Sequence, residues 1–149
     1  MRVLFVCLGN ICRSPSAEAV MRGLVESRGV DGIEIDSAGT GDWHIGHPAD
    51  PRAIAAANER GVEIGGLARQ VRSSDFEDFD LILAMDQSNH ATLLAMDGAD
   101  ASKVRLFREM AGEGEIDVPD PYFGGEDGFD LVLDILERGC AVVLEEISS

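Results

Sequence analysis

The opening stretch of the chain constrains its fold most. Val3-Leu4-Phe5-Val6 is an unbroken apolar run bounded by Gly9. Such a run suits a strand buried on both faces, as in a parallel sheet. It leads directly into Cys7-Leu8-Gly9-Asn10-Ile11-Cys12-Arg13-Ser14-Pro15. Ser14-Pro15 has the form of a helix start, with Ser14 as N-cap and Pro15 at the first helical position. Ala17, Val20, Met21 and Leu24 supply that helix with an apolar stripe, and Gly29 is a plausible stop. The loop between strand and helix therefore lies just past the carboxyl end of the first strand, where open α/β sheets bind ligands.

The remainder alternates in the same way. Residues 33–38 read as a second strand, and Asp50-Pro51 opens a helix expected to end near Gly61. Residues 80–85 read as a third strand, 87–96 as a helix, and 104–107 as a short fourth strand. Phe129, Val132, Leu133, Leu136, Cys140, Val143, Leu144 and Ile147 keep helical spacing and form one apolar face of a last helix. Strands alternating with helices predict an α/β fold with a mostly parallel sheet. The 149 residues are the length of one domain, taken as 1–149, and show no repeat or linker.

Charge narrows the partners. Acidic residues outnumber basic ones 28 to 12, a formal net charge of -16, which argues against nucleic acid or an anionic membrane as partner. An anionic substrate would need local positive features to hold it. Three cysteines cannot all pair, and two share one loop, which points to a reducing compartment and reactive thiols. The apolar run 3–8 is too short for a signal peptide, and no run reaches membrane-spanning length. The expectation is a cytoplasmic monomer or weak homodimer. His44, His47 and His90 form no ligand cluster with the cysteines, so neither a metal nor a cofactor is expected.

The loop itself carries chemistry. A thiol attacks as its thiolate, and a helix N-terminus with a nearby arginine favours that form. Both follow Cys7 here. Gly9 lets the backbone approach closely or take positive φ, so that successive N–H groups can turn inward as an anion nest. Arg13 offers a planar fork for two phosphate oxygens. Ser14 is placed to hydrogen-bond the sulfur, and Asn10 to hold the loop's shape. Cys-x5-Arg alone is a loose pattern; Cys-x5-Arg-Ser between a buried strand and a proline-started helix is far more specific. The bland alternative is a buried cysteine in a turn, with Arg13 a surface charge.

Displacing an oxygen from phosphorus requires a proton donor. Asp120 in Asp120-Pro121-Tyr122-Phe123-Gly124-Gly125 is the candidate, followed by a stiffening proline, two aromatics and a glycine pair. A turn-forming Asp-Pro is the simpler reading, and Asp117 and Asp127 compete on spacing. Trp43 in its glycine-rich loop reads as a substrate-facing rim. Asp42, Asp50 and Arg52 stay undecided between loop or helix-start residues and substrate readers. Cys140, on the apolar helix face, reads as core, and the acidic stretch 113–120 as solvated surface.

Taken in order, the motifs identify a family resemblance. Residues 3–18, Ser37-Ala38-Gly39-Thr40, Asp42-Trp43, Asp50-Pro51-Arg52, Ala68-Arg69-Gln70, Asp80, Met85-Asp86 with Ser88-Asn89, and Asp120-Pro121-Tyr122 resemble the low-molecular-weight protein tyrosine phosphatases. The resemblance implies a four-stranded parallel sheet flanked by helices on both faces, a three-layer α/β/α fold with the phosphate-binding loop after strand 1. It implies Cys7 as nucleophile, Arg13 as phosphate binder and transition-state clamp, and Asp120 as general acid and then base. The phosphate would rest on Leu8, Gly9, Asn10, Ile11, Cys12 and Arg13, in a loop braced by Asn10, Ser14 and Ser37. Leu8, Ile11, Trp43, Tyr122 and Phe123 would wall an aromatic slot for phosphotyrosine-containing proteins. Animal members carry a histidine in the bracing network just before Ala-Arg-Gln; Gly66-Leu67 stands here, so the network is expected to be smaller or closed by water.

Related activities share the loop. Arsenate reductases of this fold need further downstream cysteines, which the region after Met85 lacks apart from Cys140. Protein arginine phosphatases typically carry threonine where Ile11 stands, and an apolar Ile11 should favour a phenyl ring. A phosphocysteine carrier would hold its phosphate and have no use for Asp120. Cys12 reads either as a small loop filler or as a redox partner that protects Cys7 from over-oxidation.

Overall fold

The computed structural model describes residues 1–122 and 127–148. Its centre is a four-stranded parallel sheet in the order β2-β1-β3-β4, with β1 at Arg2–Cys7, β2 at Glu34–Gly39, β3 at Leu81–Ala84 and β4 at Val104–Leu106. Each lies within or beside the segment its apolar pattern predicts. The fourth stops one residue early, because Phe107 turns into a short helix.

Among the described residues six helices cover the sheet: α1 (Arg13–Arg28), α2 (Pro51–Asn58), α3 (Asp75–Asp78), α4 (Gln87–Leu94), α5 (Phe107–Met110) and α6 (Asp127–Ser148). Alternation along β1 explains the layering. Val3 and Phe5 pack into a core with α1, α2, α5 and α6, while Leu4 and Val6 face a smaller core with Phe76 and Leu93 of α3 and α4. All four side chains are fully buried, as the continuous apolar run requires. The larger core is closed by α6, whose apolar face is the one its spacing predicts, Ile147 alone being partly exposed. Cys140 lies in it, and burial pushes its thiol pKa up.

Two details correct the sequence reading. Helix α1 begins at Arg13 with Cys12 in the N-cap position and no side-chain cap; Ser14 lies inside the first turn and its hydroxyl is used elsewhere. Helix α2 ends at Asn58, and the chain turns over through Gly61, which takes φ +74°. Asp50 does cap α2 as Asp-Pro predicts, accepting the Arg52 N–H at 2.8 Å. Gly29 closes α1 in the left-handed conformation. Because the chain crosses from β2 over β1 to β3, the carboxyl end of β1 falls where the strand order reverses.

Candidate active site

Cys7 is the last residue of β1 and is 3% exposed. Its sulfur receives the Asn10 N–H at 3.2 Å and lies 3.0 Å from Ser14 Oγ. The N–H can point at the sulfur because Asn10 takes φ +56°, the only non-glycine residue with positive φ among the described residues. The left-handed turn therefore falls on Asn10 and not on Gly9. Glycine serves a different purpose at Gly9: a Cβ there would stand 2.9 Å from the His44 ring. The loop also passes tightly over the end of β2. A Cβ on Gly39 would come within 2.7 Å of the Leu8 carbonyl, so side chains are excluded there.

Counting hydrogens fixes the direction of the bracing network. The Arg69 N–H donates to Asn10 Oδ1 at 3.0 Å, which sets the orientation of the amide. Asn10 Nδ2 then gives its two hydrogens to Ser14 Oγ (2.8 Å) and Ser37 Oγ (3.0 Å). Ser37 passes its own hydrogen to Glu18 Oε1 at 2.6 Å. Ser14, already an acceptor from Asn10, keeps its hydrogen for Cys7 Sγ, the Ala38 carbonyl at 3.4 Å being the poorer alternative. Asn10, Ser14 and Ser37 thus stand together. On this side the chain of hydrogen bonds ends at Glu18 of α1, which is held in turn by Arg22 one helical turn on.

Arg13 is buried to the same degree as Cys7. Its Nη1 donates to Asp86 Oδ2 at 2.6 Å and to the Val118 carbonyl at 3.0 Å, and its Nη2 lies 3.6 Å from Asp120 Oδ2. Burial alone would lower its pKa; Cys7, the Asp86 hydrogen bond and charge, and Asp120 outweigh that and raise it. The guanidinium therefore stays charged. Asp86 does double duty, since its Oδ1 caps α4 by accepting the Asn89 N–H at 2.7 Å. It was named in the sequence only as part of a motif, without a role.

Asp120 lies across the cleft with a third of its side chain exposed, its Oδ1 accepting the Tyr122 N–H at 3.0 Å. The competitors are elsewhere. Asp117 Oδ1 accepts the Gln87 N–H at the start of α4, and Asp127 opens α6; neither lines the cleft. The stretch 113–120 is not simply solvated: Val118 is fully buried, its N–H bonded to the Met85 carbonyl at 2.8 Å.

The cleft, about 210 Å³, has Cys7, Cys12 and Arg13 at its base and Leu8, Ile11, Trp43 and Tyr122 as walls. Four of the five residues named for the slot thus line the cleft. Phe123 and the glycine pair 124–125 lie outside the described residues. His44 is an addition: it lines the cleft, with its ring centroid 6.3 Å from that of Tyr122. Asp50 and Arg52 serve the loops. Arg52 holds both Asp50 oxygens and donates to the Tyr122 carbonyl at 3.2 Å, with its guanidinium over the Tyr122 and Phe129 rings. Cys12 is 5% exposed; burial first, then the charge of Asp50 and that of Cys7, push its pKa up to about 12, so it is held as a thiol. No group of three or more His, Cys, Asp or Glu side chains among the described residues is arranged to hold a metal ion.

A thiol under a left-handed loop turn, a charged fork beside it and a carboxylate opposite define a cysteine-based phosphoryl-transfer site at the switch point of a parallel α/β sheet. The family model described as low molecular weight phosphotyrosine protein phosphatase matches residues 2–149. A low molecular weight protein-tyrosine-phosphatase of Streptomyces coelicolor is 47% identical, over 98% of this chain and 93% of its own. Among solved structures, a protein tyrosine phosphatase of Entamoeba histolytica superposes with a TM-score of 0.92 at 41% identity, covering 99% of this chain and 96% of that one. A Drosophila arginine phosphatase superposes at 0.90 with 35% identity, covering 100% and 99%. The chain belongs to the low molecular weight phosphotyrosine protein phosphatase family.

Proposed function

We propose that this chain hydrolyses phosphotyrosine in proteins through a phosphocysteine on Cys7. Members of its family act on phosphoproteins, and the chain is a protein-tyrosine phosphatase of that kind. The Cys7 sulfur attacks phosphorus while Asp120 gives its proton to the departing phenolic oxygen. Three phosphoryl oxygens rest on the amides of Leu8, Gly9, Ile11, Cys12 and Arg13 and on the Arg13 fork, while the Asn10 N–H stays on the sulfur. Water, deprotonated by the Asp120 carboxylate, then takes the phosphoryl group. Cys7 leaves as a thiolate that the Ser14 hydroxyl steadies. No step asks for a metal or an organic cofactor.

The observation that carries this reading is the placement of Asp120, within 3.6 Å of the Arg13 guanidinium at the mouth of an apolar cleft that has Cys7 at its base. A phosphocysteine carrier has no use for an acid there. Ile11, 9% exposed in the cleft wall, supports a phenyl ring over a guanidinium. The test is a panel of phosphotyrosine, phosphoserine and phosphoarginine substrates with Cys7→Ser as the inactive control. Asp120→Asn should lower turnover of an aryl phosphate by roughly 10²–10⁴-fold. Unchanged phosphoryl transfer in that variant, or a preference for phosphoarginine, defeats the reading.

A redox role for Cys12 belongs to the same proposal. Peroxide would oxidise the Cys7 thiolate to a sulfenic acid, and the Cys12 thiol, giving its proton to the departing hydroxyl as its sulfur attacks Cys7 Sγ, would release water and form a disulfide that a thiol reductant reopens. Both thiols are free in the structure and line one cleft. Peroxide-inactivated protein should regain activity with a thiol reductant, and Cys12→Ser should not; equal recovery would falsify the role. The need for a reduced Cys7 fits a cytoplasmic location and a monomer or weak homodimer with its cleft open. Among the described residues no helix is long and apolar enough to cross a membrane.

A further inference from the structure

Among the described residues the most deeply buried carboxylate is Asp75, which opens α3, is 1% exposed and plays no part in the chemistry of the cleft. Its Oδ2 accepts from Arg69 Nη1 at 3.0 Å and from the Arg72 N–H at 2.7 Å, and its Oδ1 from Arg69 Nη2 at 3.2 Å. Asp36 of β2 takes another edge of the same guanidinium, its Oδ2 accepting from Nε at 3.2 Å and from Nη2 at 3.1 Å. A planar fork gripped by carboxylates on two edges has little freedom left. The Arg69 side chain is thereby locked between β2 and α3.

The main chain of Arg69 faces the phosphate loop. Its carbonyl receives the Gly39 N–H at 2.9 Å, and the Val71 N–H returns to the Gly39 carbonyl at 2.8 Å. Its own N–H donates to Asn10 Oδ1 at 3.0 Å. That bond decides where the next hydrogens go. With Oδ1 on Arg69, Asn10 Nδ2 faces Ser14 and Ser37, so Ser14 accepts there and its own hydrogen is left for Cys7 Sγ. With the amide turned over, Oδ1 would face Ser14 and draw that hydrogen off the sulfur, and Nδ2 would meet the Arg69 N–H, donor against donor. We propose that Arg69, locked by Asp75 and Asp36, is a positioning residue: it holds the Asn10 amide in the orientation that sends the Ser14 hydrogen to Cys7. This deepens the phosphatase reading and rests on it for the effect on turnover. Arg69, Asp36 and Asp75 touch no reacting atom, and none of them lines the cleft. The step served is the departure of Cys7, when the sulfur gains the charge that the hydroxyl steadies.

The test uses the intact chain. Arg69→Met keeps the stem and removes the fork, and Arg69→Lys keeps the charge but cannot grip both carboxylates. Each should lower kcat on an aryl phosphate about tenfold and change KM by less than about twofold. Each should also move the pH midpoint of Cys7 alkylation by iodoacetamide upward by about one unit, because the thiolate has lost a donor. Arg13, Cys12, His44, Asp120 and Tyr122, which share the cleft with Cys7, are untouched in these variants. Adding Arg69→Met to Ser14→Ala separates positioning from a general loss of order. If Arg69 works through the Ser14 hydroxyl, the second change should cost less than about twofold more in kcat, whereas a further tenfold or so overturns the relay. Wild-type behaviour of Arg69→Lys would assign the effect to charge and overturn the lock, and so would a change in KM alone. If Arg69→Met does not fold, Asp36→Asn decides: it keeps an oxygen for the Ser37 N–H and turns an amide NH2 against Arg69. It should lower kcat about threefold and raise the alkylation midpoint, and no change in either overturns the proposal. The midpoint is read whether or not the chain hydrolyses esters, so failure here and failure of the phosphatase reading are distinguishable.

Discussion

Cys7 and Arg13 are each 3% exposed and are held from several parts of the fold, whereas Asp120 shows a third of its side chain to solvent. The phosphate loop is fixed by the close pass of Leu8 over Gly39, by the Asn10 amide and by Asp86. The segment carrying Asp120 is tied by Val118 to the Met85 carbonyl and to Arg13, and by Tyr122 to Arg52. The difference follows from what each must do. The charge that develops on a phosphoryl group is the same for every substrate, so its receptor gains from rigid preorganisation in a dry site. The proton donor must meet leaving groups attached to different proteins, and then a water. A carboxylate held by a few reversible contacts at the cleft mouth can serve both steps.

Among variants that keep the Cys7 nucleophile, the largest effect in the rigid half should come from Arg13→Lys. The charge survives, but an ammonium cannot donate to Asp86, to the Val118 carbonyl and to two phosphate oxygens in one plane. Turnover of an aryl phosphate should fall by roughly 10²–10³-fold, the range for losing a donor that acts mainly on the transition state. Steady-state kinetics with KM and kcat separated would check it. A loss under tenfold would mean that point charge suffices and that the planar fork is incidental.

A smaller effect is expected from Asp86→Asn, whose single amide oxygen can keep either the α4 cap or the Arg13 Nη1 hydrogen bond but not both, and which removes the charge. Turnover should drop on the order of tenfold, about 1.4 kcal/mol of transition-state stabilisation. KM should change less than kcat, because Asp86 orients Arg13 and does not line the cleft. If KM alone rises, the rigid half depends less on Asp86 than the 2.6 Å contact suggests.

The same contrast explains what could be read from the chain. The nucleophile, loop and arginine lie within seven consecutive residues after a buried strand, so local pattern sufficed for them. Ser14 was misplaced for a physical reason: Ser-Pro at a helix start is the signature of a cap, yet here the hydroxyl is claimed by Asn10 and Cys7 one position inside the helix. Asp86 reaches Arg13 across 73 residues, and no spacing announces that. Glu18 looked like an ordinary polar helix residue until the fold set Ser37 beside it. Helices α3 and α5, four residues each, are too short to show a period. Phe107 continued the apolar pattern of β4 but packs instead against α6, where its ring leaves no room for a Cβ on Gly139.

Asp50 is where the rigid and the yielding halves meet. Its N–H holds the Ile11 carbonyl of the phosphate loop at 2.8 Å, and its carboxylate holds Arg52, which in turn holds the Tyr122 carbonyl. Asp50→Asn can keep the backbone bond and, through its one amide oxygen, the helix cap, while it removes the charge and the acceptor for Arg52 Nη2. The Arg52 hydrogen bond is the largest influence on the Asp50 carboxyl and lowers its pKa in the folded state, against an opposing contribution from burial. A depressed folded pKa contributes stability that is present above the ordinary carboxylate value of 3.8 and lost as pH falls through the lower folded value. The Tm gap between wild type and Asp50→Asn should therefore be widest near neutral pH and should close below about pH 4. Because the charge tethers only the Tyr122 side, turnover should fall by less than in Asp86→Asn, with the larger change in KM for phosphotyrosine peptides. A Tm gap that persists unchanged in acid would show that shape and not charge makes the link, and would leave the two halves independent of each other.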